Sequence, residues 1–358
     1  MPEEGTFEVL HELVAPAKRN LSKETWDYLM GGAETETTQE RNRVALDSLA
    51  FRPRVLRNVE MVDTSGELLG HKLRLPVVLA PIGSLQDIVQ GGGEAPTRAA
   101  HRFGAIHMLS SVCAPGLEAV AACNDHPKIF QLYVRGDEAW VDSHIESAIA
   151  NRYMAVCFTV DLDHYGRRER DLAKRYKTTS RQTQPADYHQ ARFCWADMAR
   201  LRRKYDLPFI LKGISTAEDA HIALDHGIEA VYVSNHGGRQ LDHGKGSIAA
   251  LPEIVDAVGG RAQIIVDGGF MRGTDIVKAM ALGADAVGLG RLQGLALAAG
   301  GEAGVVRMLE LLQDEVSRCL GLLGVTSYAE LDRSFLEPAV PLGRSWLDSA
   351  FPLLKEGY

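Results

Sequence analysis

The stretch Ala230-Val231-Tyr232-Val233-Ser234-Asn235-His236-Gly237-Gly238-Arg239-Gln240-Leu241-Asp242 decides the fold of this chain. Four apolar residues read as a buried strand. A histidine, two glycines and an arginine follow at its C-terminal end. The pattern repeats: Gln263-Ile264-Ile265-Val266 runs into Asp267-Gly268-Gly269, and Ala284-Asp285-Ala286-Val287 runs into Gly288-Leu289-Gly290-Arg291. Helical stretches lie between. Chemistry-bearing residues at the C-terminal ends of successive parallel strands are what a (β/α)8 barrel enzyme requires. In the last two clusters a bare backbone lets a phosphate approach the amide N–H groups, and Arg291 adds a fork of donors.

The same grammar extends toward the N-terminus. Pro76 to Ala80 ends at Pro81-Ile82-Gly83, and Ala105 to Leu109 ends at Ser110-Ser111. Ile129-Phe130 leads into Gln131-Leu132-Tyr133, Ala155 to Phe158 into Thr159-Val160-Asp161, and Phe209 to Leu211 into Lys212-Gly213. With the three strands above, these make eight. That count predicts an α/β fold of the closed (β/α)8 TIM-barrel kind rather than an open doubly wound sheet. No G-x-G-x-x-G follows the first strand, which weakens a dinucleotide-binding reading.

Residues 1–50 read as an N-terminal helical extension. Ser22 precedes a helical run through Trp26 and Leu29 that stops at Gly31-Gly32. The polar segment 171–192, between strands four and five, breaks the rhythm on the catalytic side. It reads as an active-site loop or lid, with a solvated insertion as the equal alternative. From Pro338 on, Pro341, Trp346, Phe351 and Leu353 suggest a tail that docks on another surface, such as a neighbouring subunit. Residues 1–358 are therefore read as one barrel domain.

Bulk properties bound the function. The 358 residues carry a net charge of −8, so no nucleic-acid or anionic-membrane partner is expected. The five cysteines, Cys113, Cys123, Cys157, Cys194 and Cys319, show neither C-x-x-C nor zinc spacing. They read as reduced core thiols in a reducing compartment, with no metal site. Met1-Pro2-Glu3-Glu4-Gly5 has no apolar leader, and no apolar run is long enough to span a bilayer. A cytoplasmic protein is expected.

These residues resemble those of the FMN-dependent 2-hydroxy acid oxidases and dehydrogenases: glycolate oxidase, lactate oxidase, mandelate dehydrogenase and the flavin domain of flavocytochrome b2. The segment from Ser234 to Asp242 is highly specific to that family. Gln131-Leu132-Tyr133, Thr159-Val160-Asp161, Gly166-Arg167-Arg168 and Leu211-Lys212-Gly213 fit it at the right spacing. The match runs from Trp26-Asp27-Tyr28 to about Phe335.

The resemblance implies roles. His236 is the active-site base, and Asp161 faces its imidazole and stabilises it once protonated. Arg168 and Arg239 hold the substrate carboxylate, and Tyr133 bonds the hydroxyl or carbonyl oxygen. Lys212 sits by the flavin edge where negative charge develops on reduction. Pro81, Ile82, Gly83, Ser110, Gln131, Thr159 and Ser234 are ring contacts. Asp267 binds the ribityl chain, and Gly268, Gly269, Gly290 and Arg291 take the phosphate of FMN. The implied partners are a small anionic (S)-2-hydroxy acid and oxygen or another electron acceptor, with a homotetramer as the assembly.

Four departures from the family pattern shape the substrate expectation. Trp26 is read at a position where the family has a tyrosine whose hydroxyl helps hold the carboxylate. Gly83 stands where oxidases commonly carry alanine beside the flavin. Val112 replaces a tryptophan, which enlarges the pocket. Met271 replaces an arginine that contacts the FMN phosphate, with Arg272 as a candidate substitute. The lid is also shorter than usual. Together these point to a bulky or aromatic 2-hydroxy acid. The alternatives are a decarboxylating 2-hydroxy acid monooxygenase, a weakened flavin or phosphate-ligand binder of the same fold, and another FMN-barrel activity such as a flavin-assisted isomerase.

Overall fold

Short runs of Val, Ile, Leu and Phe, each too short for a core helix and bounded by glycine or polar residues, form eight parallel strands. In a computed structural model that describes residues 7–182, 189–343 and 346–357, these are β1 (Val77–Leu79), β2 (Ile106–Ser110), β3 (Lys128–Leu132), β4 (Ala155–Thr159), β5 (Phe209–Ile214), β6 (Ala230–Val233), β7 (Gln263–Val266) and β8 (Ala286–Leu289). They close into a barrel, β8 pairing with β1 through Val287 opposite Val77. The last strand lies two residues later than its apolar run suggested. The Asp285 carboxylate accepts a bond from Ile264 N at 2.6 Å, so Asp285 ends the approach to β8 instead of joining it.

Alternation along the strands separates two cores. Val78, Met108, Ile129, Cys157, Ile210, Tyr232 and Ile265 fill the barrel interior. The antiparallel hairpin of Gly66–Leu68 with His71–Leu73 contributes Leu68 and Leu73 to that inner cluster and closes the N-terminal end. Outward-facing Phe130, Leu132, Val156, Phe158, Leu211, Val231 and Val233 pack under the surrounding helices. A helix follows every strand; the longest, Arg291–Leu323, is two helices meeting where Gly301 takes φ +56°. No described helix is long and apolar enough to cross a membrane.

The N-terminal extension forms a 3-10 turn (Leu10–Leu13) and helices Val14–Asn20, Lys23–Met30 and Thr37–Asp47. Ser22 caps the second of these helices, its hydroxyl accepting from Thr25 N at 3.1 Å. The third is tied to the barrel's C-terminal face: Thr38 N donates to Asp242 Oδ1 at 2.8 Å, and Ala33 N donates to Gly238 O at 2.9 Å. Gly238, at φ +76°, permits this approach, because a Cβ there would lie 2.5 Å from Gln39 N.

The C-terminal tail docks on its own chain. Leu336–Pro338 pairs antiparallel with Leu49–Phe51, and Phe351 is buried edge-on against His11 with ring centroids 5.5 Å apart. Leu353 remains exposed. The cysteines are all free, but only Cys113, Cys157 and Cys319 are buried; Cys194 is exposed, so the core-thiol expectation fails for it.

Candidate active site

The β-to-α loops open onto a single cavity. Pro81, Ile82, Gly83, Tyr133, Arg168, Lys212, His236, Arg239, Asp267, Gly268, Gly269, Gly290 and Arg291 all line it.

His236 reaches the centre because the backbone after β6 turns left-handed for three residues in a row, His236, Gly237 and Gly238, at φ +58°, +65° and +76°. This conformation is uncommon for a residue with a side chain and is typical of functional turns. His236 N is held by Ser234 Oγ at 3.0 Å. Its Nδ1 lies 3.0 Å from Asp161 Oδ1, and its Nε2 lies 3.4 Å from the Tyr133 hydroxyl. A carboxylate on Nδ1 leaves Nε2 as the atom facing the cavity. Burial pushes the His236 imidazole below its ordinary value of 6.5, with Asp161 partly offsetting that effect. Burial alone would raise Asp161, but the adjacent His236 more than compensates and the carboxyl is held low. The resting pair is therefore a neutral imidazole against a carboxylate, the arrangement of a general base.

On the cavity floor, Lys212 Nζ donates to Ser234 Oγ at 2.8 Å, Ser234 donates on to Asp267 Oδ1 at 2.6 Å, and Lys212 pairs directly with Asp267 at 3.3 Å. A register shift in the β5–β6 pairing falls between Lys212 and Ile214. Gly213, at φ +118°, makes that irregularity possible, since a Cβ there would lie 2.7 Å from Asp161 Cβ. Burial lowers the Lys212 ammonium, but Asp267 and then Asp161 outweigh it and keep the group protonated.

Two arginines stand near the mouth. Arg239 stacks its guanidinium 4.9 Å from the Tyr28 ring centroid, and its Nη1 donates to Tyr28 O at 2.6 Å and Gly31 O at 2.8 Å. Arg168 lies 4.2 Å from the Tyr165 ring centroid. Arg291 donates to Gly237 O and to Gly31 O, the acceptor it shares with Arg239, both at 2.8 Å, and also to Gln39 Oε1, while its Nε has no partner among the described residues. Burial, then the nearby Arg239 charge, disfavours the protonated guanidinium of Arg291, a cost that a bound anion relieves.

Some expected residues lie elsewhere. Ser110, Gln131, Thr159 and Ser234 are buried at strand ends and do not line the cavity; Asp161 acts on it only through His236. The amide atoms of Gln131 and the Thr159 hydroxyl are buried without hydrogen-bond partners among the described residues, as expected for groups awaiting a polar ligand. Trp26 is a correction. It packs on the core with Lys18 over its ring and does not line the cavity; Tyr28 does, its hydroxyl donating to Gly83 O at 3.0 Å. Residues two positions apart on a helix are separated by about 200° around its axis, so Trp26 and Tyr28 cannot share a face. The tyrosine is therefore present, and the supposed departure at Trp26 disappears. Arg272 does not replace the arginine missing at Met271, because it pairs with Glu315 and donates to Ala350 O at 3.0 Å.

Segment 171–192 contributes residues the sequence did not single out. Of its described parts, Thr179–Gln182 is fastened by Ser180 N to Ser84 Oγ at 3.1 Å. Gln190 bridges two strand ends, accepting from Val134 N at 2.7 Å and donating to Thr159 O at 3.1 Å. Residues 183–188 of this segment lie outside the described residues. Nothing in local periodicity marks Gln190; its partners lie 56 and 31 residues away.

Residues 17–338 match the model of a family described as FMN-dependent dehydrogenase. Glycolate oxidase 1 of Zea mays is 38% identical over 355 residues, covering 93% of this chain and 96% of its own. L-lactate oxidase of a Nostoc species is 37% identical over 355 residues, covering 91% of this chain and 97% of its own. Among solved structures, a tyrosine-to-phenylalanine mutant of mandelate oxidase with (S)-mandelic acid superposes with a TM-score of 0.86 at 36% identity, over 94% of this chain and all of that one.

Proposed function

The chain belongs to the FMN-dependent dehydrogenase family, and from that premise we propose that it oxidises an (S)-2-hydroxy acid with a bulky or aromatic side chain to the 2-oxo acid, the electrons passing to oxygen or another acceptor. The observation that carries the reading is the His236–Asp161 pair, at 3.0 Å, in one cavity with Tyr133, Arg168 and Arg239.

The residues present fit FMN. Unpaired Gln131 and Thr159 atoms match the polar edge of the ring, and Lys212 matches the site of developing charge. Gly269, Gly290 and the spare Arg291 Nε match the phosphate. Bound there, FMN supplies a two-electron acceptor.

The protein's own part is positional and acid–base. Arg168 and Arg239 bind the substrate carboxylate through the guanidinium donors not already committed to Tyr28 O and Gly31 O. Tyr133 donates to the oxygen on the reacting carbon. His236 Nε2 takes the proton released as the alcohol becomes a carbonyl, and Asp161 stabilises the imidazolium that results. Carboxylate, oxygen and base fix three points around the reacting carbon, so one enantiomer reacts. The preference for bulk rests on Gly83 and Val112, which form a thin wall section of the cavity.

Anaerobic flavin reduction across a series of 2-hydroxy acids tests the proposal. Aromatic or long-chain (S)-acids should reduce the flavin faster than glycolate, and (R)-acids should not react. A flavin that no 2-hydroxy acid reduces would remove the substrate class altogether.

A further inference from the structure

Tyr232, on β6, points into the barrel interior and is 0% exposed. Its hydroxyl reaches up beneath the cavity floor: a Cβ on Gly288 would lie 1.8 Å from it, and the same point is 3.1 Å from Asp267 Cβ. Gly288 and Asp267 both line the cavity. Glycine at 288 is therefore what admits the phenol. Lys212 Nζ stands 5.1 Å from the Tyr232 ring centroid, so the ring and the Lys212–Asp267 pair form one buried group.

The Tyr232 hydroxyl has no fully formed hydrogen bond among the described residues, and the Asp267 carboxylate is the acceptor set against it. Burial, then the Asp267 carboxylate beside it, holds the phenol well above its ordinary value of 10.0, so it remains a donor at any working pH. An unpaired hydroxyl in a packed interior lowers stability, and an aliphatic side chain would fill the same space without that cost. The acceptor within its surroundings is Asp267, the counter-charge of Lys212.

We propose that Tyr232 is a positioning residue of the cofactor site, whose hydroxyl donates to Asp267 from beneath and limits how fully Asp267 neutralises Lys212. The proposal rests on the FMN reading above. With part of the carboxylate's charge engaged by the phenol, more of the ammonium's charge faces the flavin edge. Negative charge that develops there on reduction is stabilised, and the midpoint potential of the bound cofactor rises.

The test is Tyr232→Phe, which keeps the ring and removes only the hydroxyl. The holoenzymes are compared by FMN content, midpoint potential and Tm. The expected result is full FMN occupancy with a lower midpoint potential, because Asp267 is then left to Lys212 and Ser234. Gly288→Ala, which puts a methyl where the hydroxyl lies, should lower the potential in the same direction. Unchanged potential in an FMN-loaded Tyr232→Phe protein overturns the proposal, all the more if Tm rises, since the hydroxyl is then merely unsatisfied. Loss of FMN or of folding in Tyr232→Phe, whose shape is retained, also overturns it, by giving the hydroxyl a structural role. A wild-type protein that binds no FMN would instead defeat the reading beneath it.

Discussion

A Cβ placed on Gly83 would come within 2.8 Å of Val112 Cγ2, so the two residues that thin the cavity wall touch each other. Their backbones are locked as well, Ser84 N donating to Val112 O at 3.0 Å. Gly83 cannot gain a side chain without Val112 giving way. Gly83→Ala should therefore cost about 1–3 kcal/mol through overpacking, and adding Val112→Ala should recover most of it. Val112→Trp should shift the ratio of flavin-reduction rates toward small acids by at least about tenfold, since an indole in the wall clashes with bulky groups. Rates across a size series, with Tm of each variant, decide the matter; a Val112→Trp protein with wild-type preference would show that the wall lies elsewhere.

The base is tested by His236→Asn. The FMN-contacting residues named above do not depend on the imidazole, so the variant should stay yellow. Flavin reduction by the best substrate should slow by about 10²–10⁴, the usual loss for a general base. Stopped-flow reduction within tenfold of wild type would take the role away from His236.

Much of this was legible in the sequence, and the reasons differ by element. The barrel strands are local apolar runs with sharp ends, so seven of the eight start within one residue of where periodicity puts them, the eighth within two, and β6 and β7 coincide with their expected ranges. His236 stood out because a strand end and Gly-Gly-Arg frame it. The Trp26 reading failed because a one-dimensional match cannot tell which of two aromatics, two positions apart on Lys23–Met30, faces the cavity. Gln190, Tyr232 and Gly288 were invisible for a deeper reason: their roles exist only through contacts made by distant segments. Gly288 matters because the chain places the Tyr232 hydroxyl where its Cβ would be.

The pH dependence follows from the sign of the His236 shift. Its folded value lies below 6.5, so the neutral base persists as pH falls past that point. The acid limb of kcat/KM should therefore inflect below pH 6.5, with activity lost only on the low side. Asp161 is what resists the lowering by burial. Asp161→Asn should move the limb further down and also depress the plateau rate, because the imidazolium formed in the reaction loses its counter-charge. An inflection above 6.5, or a limb that rises in the asparagine variant, would contradict the burial-dominated account. A proton-independent substrate fixes whether the limb belongs to the enzyme.

The proposed phosphate site has few uncommitted cations among the described residues. Met271 is 1% exposed and forms part of the wall. Arg272 is turned away onto Glu315 and Ala350. Arg43 is also committed: it grips Asp275 with both terminal nitrogens at 2.8 Å and donates to Gly269 O at 3.0 Å, so it braces the glycine turn rather than facing a ligand. Arg291 lines the cavity with bonds already spent on Gly31 O, Gly237 O and Gln39 Oε1. Met271→Arg should add a second charge-assisted donor for the phosphate and tighten FMN by about 10- to 100-fold, the range of a hydrogen bond to a charged group. The same change puts two guanidinium groups near each other in the empty site. The apoprotein should thus melt lower than wild type while the FMN-loaded protein melts higher, since ligand binding offsets the repulsion. Fluorescence titration of released FMN, with Tm of both forms, checks each half. Weaker FMN binding in Met271→Arg would mean that Arg291 alone already matches the phosphate and that Met271 serves packing.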